Sequence, residues 1–458
     1  MKSKLHKKLT LIVALTTISP FISNAQNPII QTNYTADPAP MVHNDTVYLY
    51  TTHDEDITIK NFFTMNDWKC YSSTDMVNWT DHGTVLSYKD FSWSRGDAWA
   101  GQCIYRNDKF YFYVPVNQKN GGNGIGIAVS DSPTGPFKDA LGDPLLTGYG
   151  YIDPTVFIDD DGQAYLYWGN PNLWYVKLNK DMISYDRELG IVQVPLTKEG
   201  FYIRTRDADK RPSSYEEGPW MYKRNNLYYL LYPAGGVPEH LAYSTGKSVT
   251  GPWEYKDTIM HVIQKDGAFT NHPGLIDFKG KPYLFYHNGA LPQGGGFKRS
   301  VCIEPFEFNA DGTIPLIIST KEGVTKSVSN LNPFRRVEAE TIAWEEGIET
   351  VKDEKTGVYV TDIDNGDYIK VRSVNFDKGA EKFEACVASV TSGGNIEIRI
   401  DGLNGALLGT CNIKKTGSST NWVVQSCKIN KVRSVHDIYL IFKGGKAKLF
   451  NFDWWMMK

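Results

Sequence analysis

Apolar and polar positions alternate along this chain in short bursts. Five apolar, tyrosine-rich runs stand out, at 44–52, 107–115, 161–169, 225–233 and 280–288, and each opens on a polar turn. A polar pair such as Asn-Asp or Asp-Gly between apolar runs predicts a β-hairpin. The tyrosines that mark the runs (Tyr48, Tyr111, Tyr165, Tyr228 and Tyr283) recur at intervals of 63, 54, 63 and 55 residues. Each interval holds about four strands of ordinary length with their turns. Echoes such as Asp75 to Trp79, Gly135-Pro136-Phe137 and Gly251-Pro252-Trp253 mark outer strands. Four-stranded repeats of this length predict an all-β fold, a five-bladed β-propeller over residues 26–325. An irregular β-sandwich would not give the repeats a shared phase, and no long amphipathic helix interrupts residues 28–325.

The phase also locates the chemistry. Counting back 11 or 12 residues from each marker tyrosine reaches Asp37, Trp99, Asp153, Glu217 and His272. In a propeller the starts of the inner strands converge on one end of the central channel, so these five side chains are expected in one pocket. Proline directly follows Asp37, Asp153 and His272, and follows Glu217 after Gly218. The residue before proline is pushed toward an extended backbone, which predicts that Asp37, Asp153 and His272 are held stiffly toward the axis. One Asp-Pro pair alone is usually a turn; three carboxylates in register are not explained that way. Carboxylates converging in an aromatic-lined pocket, without a serine or cysteine nucleophile motif, suit glycoside hydrolysis. One carboxylic acid protonates the leaving oxygen while a carboxylate activates water or attacks the sugar. A third carboxylate beside the acid raises its pKa. Glu216 neighbours Glu217, but strand alternation turns it to the other face.

The runs Thr35-Ala36-Asp37-Pro38-Ala39-Pro40, Tyr151-Ile152-Asp153-Pro154-Thr155 and Glu217-Gly218-Pro219-Trp220 resemble the three signatures of glycoside hydrolase family 43. The resemblance implies an inverting mechanism with Asp37 as general base, Glu217 as general acid and Asp153 as the pKa modulator that orients Glu217. It further implies that Trp99 is a pocket-wall aromatic and Arg299 a substrate contact. His272 would be an axial histidine beside a water cluster or a calcium ion. Blade 2 departs from the family, reading Trp99-Ala100-Gly101-Gln102 where relatives carry Trp-Ala-Pro. His53, in His53-Asp54-Glu55-Asp56, is expected on the pocket rim, a metal site being the alternative. The glycine-rich stretch 122–126 lacks the strand and helix of a dinucleotide loop and reads as a hairpin turn.

The chain turns polar from Lys321 to Leu331, which predicts a linker over 326–332, and an alternating all-β pattern follows over 333–458. That pattern suits a β-sandwich of jelly-roll type. Its pieces Val337-Glu338-Ala339-Glu340, Asp364-Asn365-Gly366-Asp367-Tyr368 and Asn451-Phe452-Asp453-Trp454 resemble carbohydrate-binding module family 6. The resemblance implies a structural calcium ion held by Glu338, Glu340 and Asp453, and a sugar contact at Asn451. The two rings that sandwich sugar in that family are replaced here by Asp362 and Ser419, while the structural tryptophan is kept as Trp422. Weak glycan binding at the usual loop site is therefore expected, leaving the module to act as a buttress or through another face.

Composition narrows the rest. Lysines at the amino terminus, an apolar run to Ile22 and Ser23-Asn24-Ala25 predict a cleaved signal peptide over 1–25, hence a secreted or periplasmic protein without a lipid-anchor cysteine. No other stretch suits a membrane span, and a net charge of −3 disfavours nucleic acid and anionic membrane as partners. Six scattered cysteines lack metal-ligand spacing, and a chain this size does not need a disulfide, Cys411 and Cys427 in one small domain being the only pair to watch. The expected function is an exo-acting, monomeric glycosidase on plant polysaccharide or its oligosaccharides, an α-L-arabinofuranosidase trimming arabinoxylan. A β-1,4-xylosidase or arabinan-degrading enzyme is the alternative, and a catalytically dead glycan-binding propeller is the non-enzyme alternative.

Overall fold

The computed structural model describes residues 26–201, 212–377 and 379–458, so the expected signal peptide lies outside it. Blade 1 is the sheet Tyr34–His43, Thr46–Asp54, Met65–Ser73 and Trp79–Ser87, all antiparallel neighbours. Blade 2 is built on Gln102–Arg106, Lys109–Gln118 and Asn123–Ser130, with Lys138–Asp139 and Leu146–Gly148 on its outer edge. Thr155–Ile158, Ala164–Trp168, Trp174–Leu178 and Val192–Gln193 form blade 3. Blade 4 comprises Trp220–Arg224, Leu227–Ala234, His240–Gly246 and Trp253–Met260. Blade 5 has the strands Gly274–Phe278, Lys281–Asn288 and Ser300–Pro305, and the start of the described chain closes its outer edge. There the Ile29 N–H donates to the Val301 carbonyl, and the Gln26 and Asn27 N–H groups donate to that of Lys321.

The hairpins arise where the polar turns predict them. Asn44-Asp45, Asn107-Asp108 and Asn225-Asn226 all adopt positive φ at both central positions, as does Lys279-Gly280. That backbone matches the right-handed twist of paired strands, and Asn, Asp and Gly tolerate it best. Second strands such as Ala164–Trp168 are buried throughout, because both faces of each blade are covered by neighbouring blades.

The C-terminal module is a sandwich of two sheets. One orders Glu349–Asp353, Gly357–Thr361, Asn451–Met457, Ala380–Ala388 and Val423–Val432, with Val337–Glu338 paired to Asn451–Met457. The other orders Trp344–Glu346, Tyr368–Asn375, Val435–Lys443, Gly394–Ile400 and Leu407–Ile413. Phe383, Trp455, Ile396 and Leu440 lie in the core between them. The module also reaches into the propeller: Thr341–Ile342 pairs with Thr80 and Trp79, adding a fifth strand to blade 1. The stretch expected as a linker is bonded on both sides, Val328 N–H to the Asp75 carbonyl and Leu331 N–H to that of Ser373. Among the described residues no helix is long and apolar enough to cross a membrane.

Candidate active site

Four of the five in-phase positions, Asp37, Asp153, Glu217 and His272, do converge, although Asp37 and Asp153 are not on an extended backbone. Asp37 and Asp153 have φ of 50° and 56°, and Gly218 repeats the conformation at 50°. The extended form expected before proline is thus replaced by a left-handed residue. In blade 1 the pairing register slips between Ala36 and Ala39, a bulge that re-aims the side chain there. Aspartate tolerates the left-handed region at modest cost. In blade 4 the same role falls on Gly218, one residue after the carboxylate, because an added Cβ would lie 3.1 Å from the His272 ring. Gly101, the departure in blade 2, is also sterically required, since a Cβ there would sit 2.7 Å from the Tyr113 carbonyl oxygen.

His272 is the hub. Its Nδ1 lies 3.4 Å from Oδ1 of Asp37 and its Nε2 3.3 Å from Oε1 of Glu217. Burial disfavours the charged ring, but the carboxylates of Asp37, Glu217 and Asp153 outweigh it and raise the pKa to about 10. A protonated ring has two donors and no lone pair for a metal. With the ring protonated His272 bridges two carboxylates as a cation; deprotonated, it would join Asp153 and Glu217 in a group close enough to hold the axial ion.

Asp37 is held as an anion. Burial opposes its charge, yet Arg299, then His272 and His287, bring the pKa down to about 2. Arg299 Nη1 donates to Asp37 Oδ1 at 2.8 Å, and the Thr52 hydroxyl donates to Oδ2 at 2.8 Å. The Asp37 N–H points at His287 Nδ1 (3.2 Å), whose Nε2 faces the Thr270 carbonyl at 2.7 Å. That pattern assigns a neutral ring with its proton on Nε2. Burial and the nearby Arg299 charge hold the His287 pKa well below the usual histidine range.

Asp153 and Glu217 form the second centre, with a carboxyl oxygen of each and a His272 nitrogen all within 4.8 Å of one another. Burial, then the Glu217 charge, push Asp153 well above the carboxylate range, and its Oδ2 is buried without a partner. Burial acts in the same direction on Glu217, but the His272 contact and the Asn170 amide, which donates to Oε2, lower it overall. Two carboxyls this close titrate as a unit, and the opposite directions of their shifts favour a shared proton on the Asp153 side. Glu239 is a further buried carboxyl beside this pair. Burial and the Glu217 charge raise its pKa, and its Oε2 accepts the Asn271 N–H at 2.9 Å. Glu216 is buried, its Oε1 on the side of Gly236.

Several expectations need correction. Arg299 is buried and aims its donors at protein atoms: Asp54 from Nε and Nη2, Asp37 and Thr270 from Nη1, and Met65 sulfur from Nη2. As placed it positions Asp37 rather than offering a free fork to substrate. His53 is not on the pocket side. Thr52 and Asp54 point at Asp37 and Arg299, so alternation sends His53 to the opposite face, where its Nδ1 lies 2.8 Å from Asp67. Trp99 is half-buried, its ring against Phe62 and Phe63. These join Phe297 and Phe269 in an aromatic wall that reaches Asp37 through Arg299, stacked 4.5 Å over Phe63. In the module, Glu338, Glu340 and Asp453 do not bring ligand atoms together. Among the described residues only His53–Glu55–Asp67 and Asp153–Glu217–His272 gather three within 4.8 Å. Arg336 instead bridges Glu338 (2.7 Å) and Asp453 (3.2 Å), so two of the three donors already face a cation, while Oε2 of Glu340 is buried and unpartnered. The calcium ion implied for this set does not fit it as placed. Asn451 is also engaged internally, by the Ser419 carbonyl and the Thr361 hydroxyl.

Residues 25–314 match the model for glycosyl hydrolases family 43, and residues 338–458 match carbohydrate binding module family 6. An arabinoxylan arabinofuranohydrolase of Bacillus subtilis (strain 168) is 35% identical, over 96% of this chain and 93% of that one. The crystal structure of a family 43 arabinoxylan arabinofuranohydrolase from Bacillus subtilis, in complex with cellotetraose, superimposes with a TM-score of 0.81 at 31% identity, covering 95% of this chain and 98% of that one. A family 43 β-xylosidase/α-arabinofuranosidase from a compost microbial metagenome, solved with xylotriose in a calcium-free form, covers 64% of this chain and 97% of its own at 31% identity and a TM-score of 0.58. With both its propeller and its appended module matched, the chain belongs to glycosyl hydrolases family 43 and is a glycoside hydrolase.

Proposed function

We propose that this protein is an exo-acting, inverting α-L-arabinofuranosidase that removes arabinofuranosyl branches from arabinoxylan. The observation that carries the reading is the imidazolium of His272 gripped by Asp37 on one nitrogen and Glu217 on the other. The ring acts as a spacer between base and acid, and inverting enzymes need a gap of roughly 6.5–9.5 Å to admit a water. Asp37, anionic and fixed by Arg299 and Thr52, takes a proton from that water as its oxygen attacks the anomeric carbon. Glu217 takes up the proton held on the Asp153 side and gives it to the departing sugar oxygen. Once the proton has gone, His272 and Asn170 stabilise the Glu217 carboxylate. The likeness to arabinoxylan arabinofuranohydrolase along nearly the whole chain supports the substrate. β-1,4-Xylosidase activity is the second reading, favoured by the solved relative described with both activities. The reading includes a monomer acting outside the cell or in the periplasm, and no step is drawn through an ion.

Paired aryl α-L-arabinofuranoside and aryl β-D-xyloside assays test the substrate. NMR of the first-formed sugar tests inversion, and retained configuration would refute the mechanism. Glu217→Gln is expected to slow cleavage of arabinoxylan by about 10²–10⁴-fold, the usual weight of a general acid, yet spare aryl glycosides whose phenol leaves unaided. Asp37→Asn is expected to abolish both. Equal losses for Glu217→Gln on both substrates would remove the acid assignment.

A further inference from the structure

A cleft of about 500 Å³ lies between the two domains, within the range of ligand sites. Its propeller wall is the Met260–Asp266 stretch after blade 4 together with Asn288–Pro292 at the end of the second strand of blade 5. The module contributes Trp344. Among the described residues this half-buried indole has no ring partner and its N–H no hydrogen-bond partner. Leu291, Pro292 and the exposed Ile318 make the cleft apolar, while Lys265 and Asp266 put charged groups on its rim. An aromatic face with flanking polar groups is what a pyranose ring requires, its C–H faces stacking while its hydroxyls bond outward.

The cleft is continuous with the catalytic strands. The Tyr34 hydroxyl donates to the Pro292 carbonyl, and Tyr34 opens the strand that carries Asp37. Asn288, at the cleft's inner end, pairs with Ser300, the neighbour of Arg299. Meanwhile the module's usual sugar site is dismantled: Asp362 and Ser419 replace the rings, and Asn451 is bonded internally.

We propose that this interdomain cleft, with Trp344 as its stacking platform, binds main-chain sugar residues of the polysaccharide whose branch is cut between Asp37 and Glu217. Glycan recognition by the module is thereby moved from its loop site to the seam with the propeller. The inference rests on the debranching reading above.

The test compares polymeric arabinoxylan with an aryl arabinofuranoside, which is too small to span both sites. In the full chain, Trp344→Ala is expected to lower kcat/KM on the polymer by about tenfold through KM, a loss in line with one stacked ring, and to leave the aryl substrate unaffected. Trp344→Phe should keep most of the polymer activity. Ile318→Arg, at an exposed position that folding does not need, should reproduce the loss by obstructing the cleft. Affinity electrophoresis in soluble arabinoxylan gives a readout without catalysis: the wild-type chain should be retarded, and the Trp344→Ala and Ile318→Arg chains much less so. If wild type cleaves neither substrate the debranching reading fails, but retardation still decides the cleft. Equal retardation of all three chains overturns the proposal. So does a Trp344→Ala chain that changes oligomeric state with its polymer KM intact, since the cleft would then seat a second copy.

Discussion

Asp37 stays ionised in a buried site because Arg299, itself fixed by Asp54, sits 2.8 Å from it. Replacing Arg299 with Gln removes the charge while keeping some hydrogen bonding. Burial is then opposed by His272 and the Thr52 hydroxyl, and the Asp37 pKa should climb from about 2 toward the ordinary aspartate range. Because the base must be unprotonated, the acid limb of kcat/KM on an activated aryl glycoside should move to higher pH. An unmoved limb would show that Arg299 does not set this charge. His272 has the opposite sign. Its folded pKa of about 10 lies above the ordinary histidine value of about 6.5, so its stabilisation is complete below the lower value and is lost as pH rises through the upper. The melting-temperature gap between wild type and His272→Gln should therefore shrink from neutral pH toward pH 10. The three carboxylates were legible in the sequence because each stands 11 or 12 residues before a marker tyrosine. Thr52, Asn170, Glu239 and His287 were not, since they come from second strands and loops whose facing the repeat does not signal. Asp54 had a usable signal: once Thr52 faces the axis, alternation brings Asp54 there and turns His53 away.

At the scale of elements, the hairpins were the most legible feature, since Asn-Asp and Asn-Asn pairs between apolar runs leave few other backbone choices. The catalytic corners were misjudged for a physical reason. A residue before proline is usually extended, but Asp37, at a bulge, and Asp153, just ahead of its strand, both adopt the left-handed region. Strained backbone of this kind is retained at functional sites when the surroundings hold it. Gly218 tests the idea in blade 4. Gly218→Ala places a side chain at φ of 50° and 3.1 Å from His272. The backbone cost is about 1–2 kcal/mol, and the contact should displace His272 from Glu217. The expected outcome is a lower melting temperature together with a fall in kcat on arabinoxylan. An active, equally stable variant would show that the corner adapts freely.

The whole molecule is more tightly joined than two domains on a tether. Thr341–Ile342 continues blade 1, Thr350 donates to Asp81, and Lys352 donates to the Thr84 carbonyl. Arg372, in the module, donates to the Val324 and Thr325 carbonyls and to the Gln26 side chain. None of this was legible, because residues such as Asp81, Lys352 and Arg372 read as ordinary surface polarity until their partners are known. The same charges bear on calcium. With Arg336 already between Glu338 and Asp453, a chelator should leave the melting temperature of the full chain unchanged. A fall reversed by added calcium would mean that Arg336 yields its place to the ion. Truncation after Thr325 probes the joint directly. It strips Thr341–Ile342 from the outer strand Trp79–Ser87, whose unpaired N–H and C=O groups become an open template for another chain. It also uncovers Trp79 and Tyr71, which face Ile342 and Glu340 across the seam. The shortened propeller is expected to melt several degrees lower, each lost kcal/mol being worth roughly 2–4 °C in a domain of this size, and to self-associate on size exclusion with light scattering. A monomeric truncated chain with the full chain's melting temperature would show that the seam is dispensable for stability. The cleft at Trp344 would then stand as the main reason the module is held where it is.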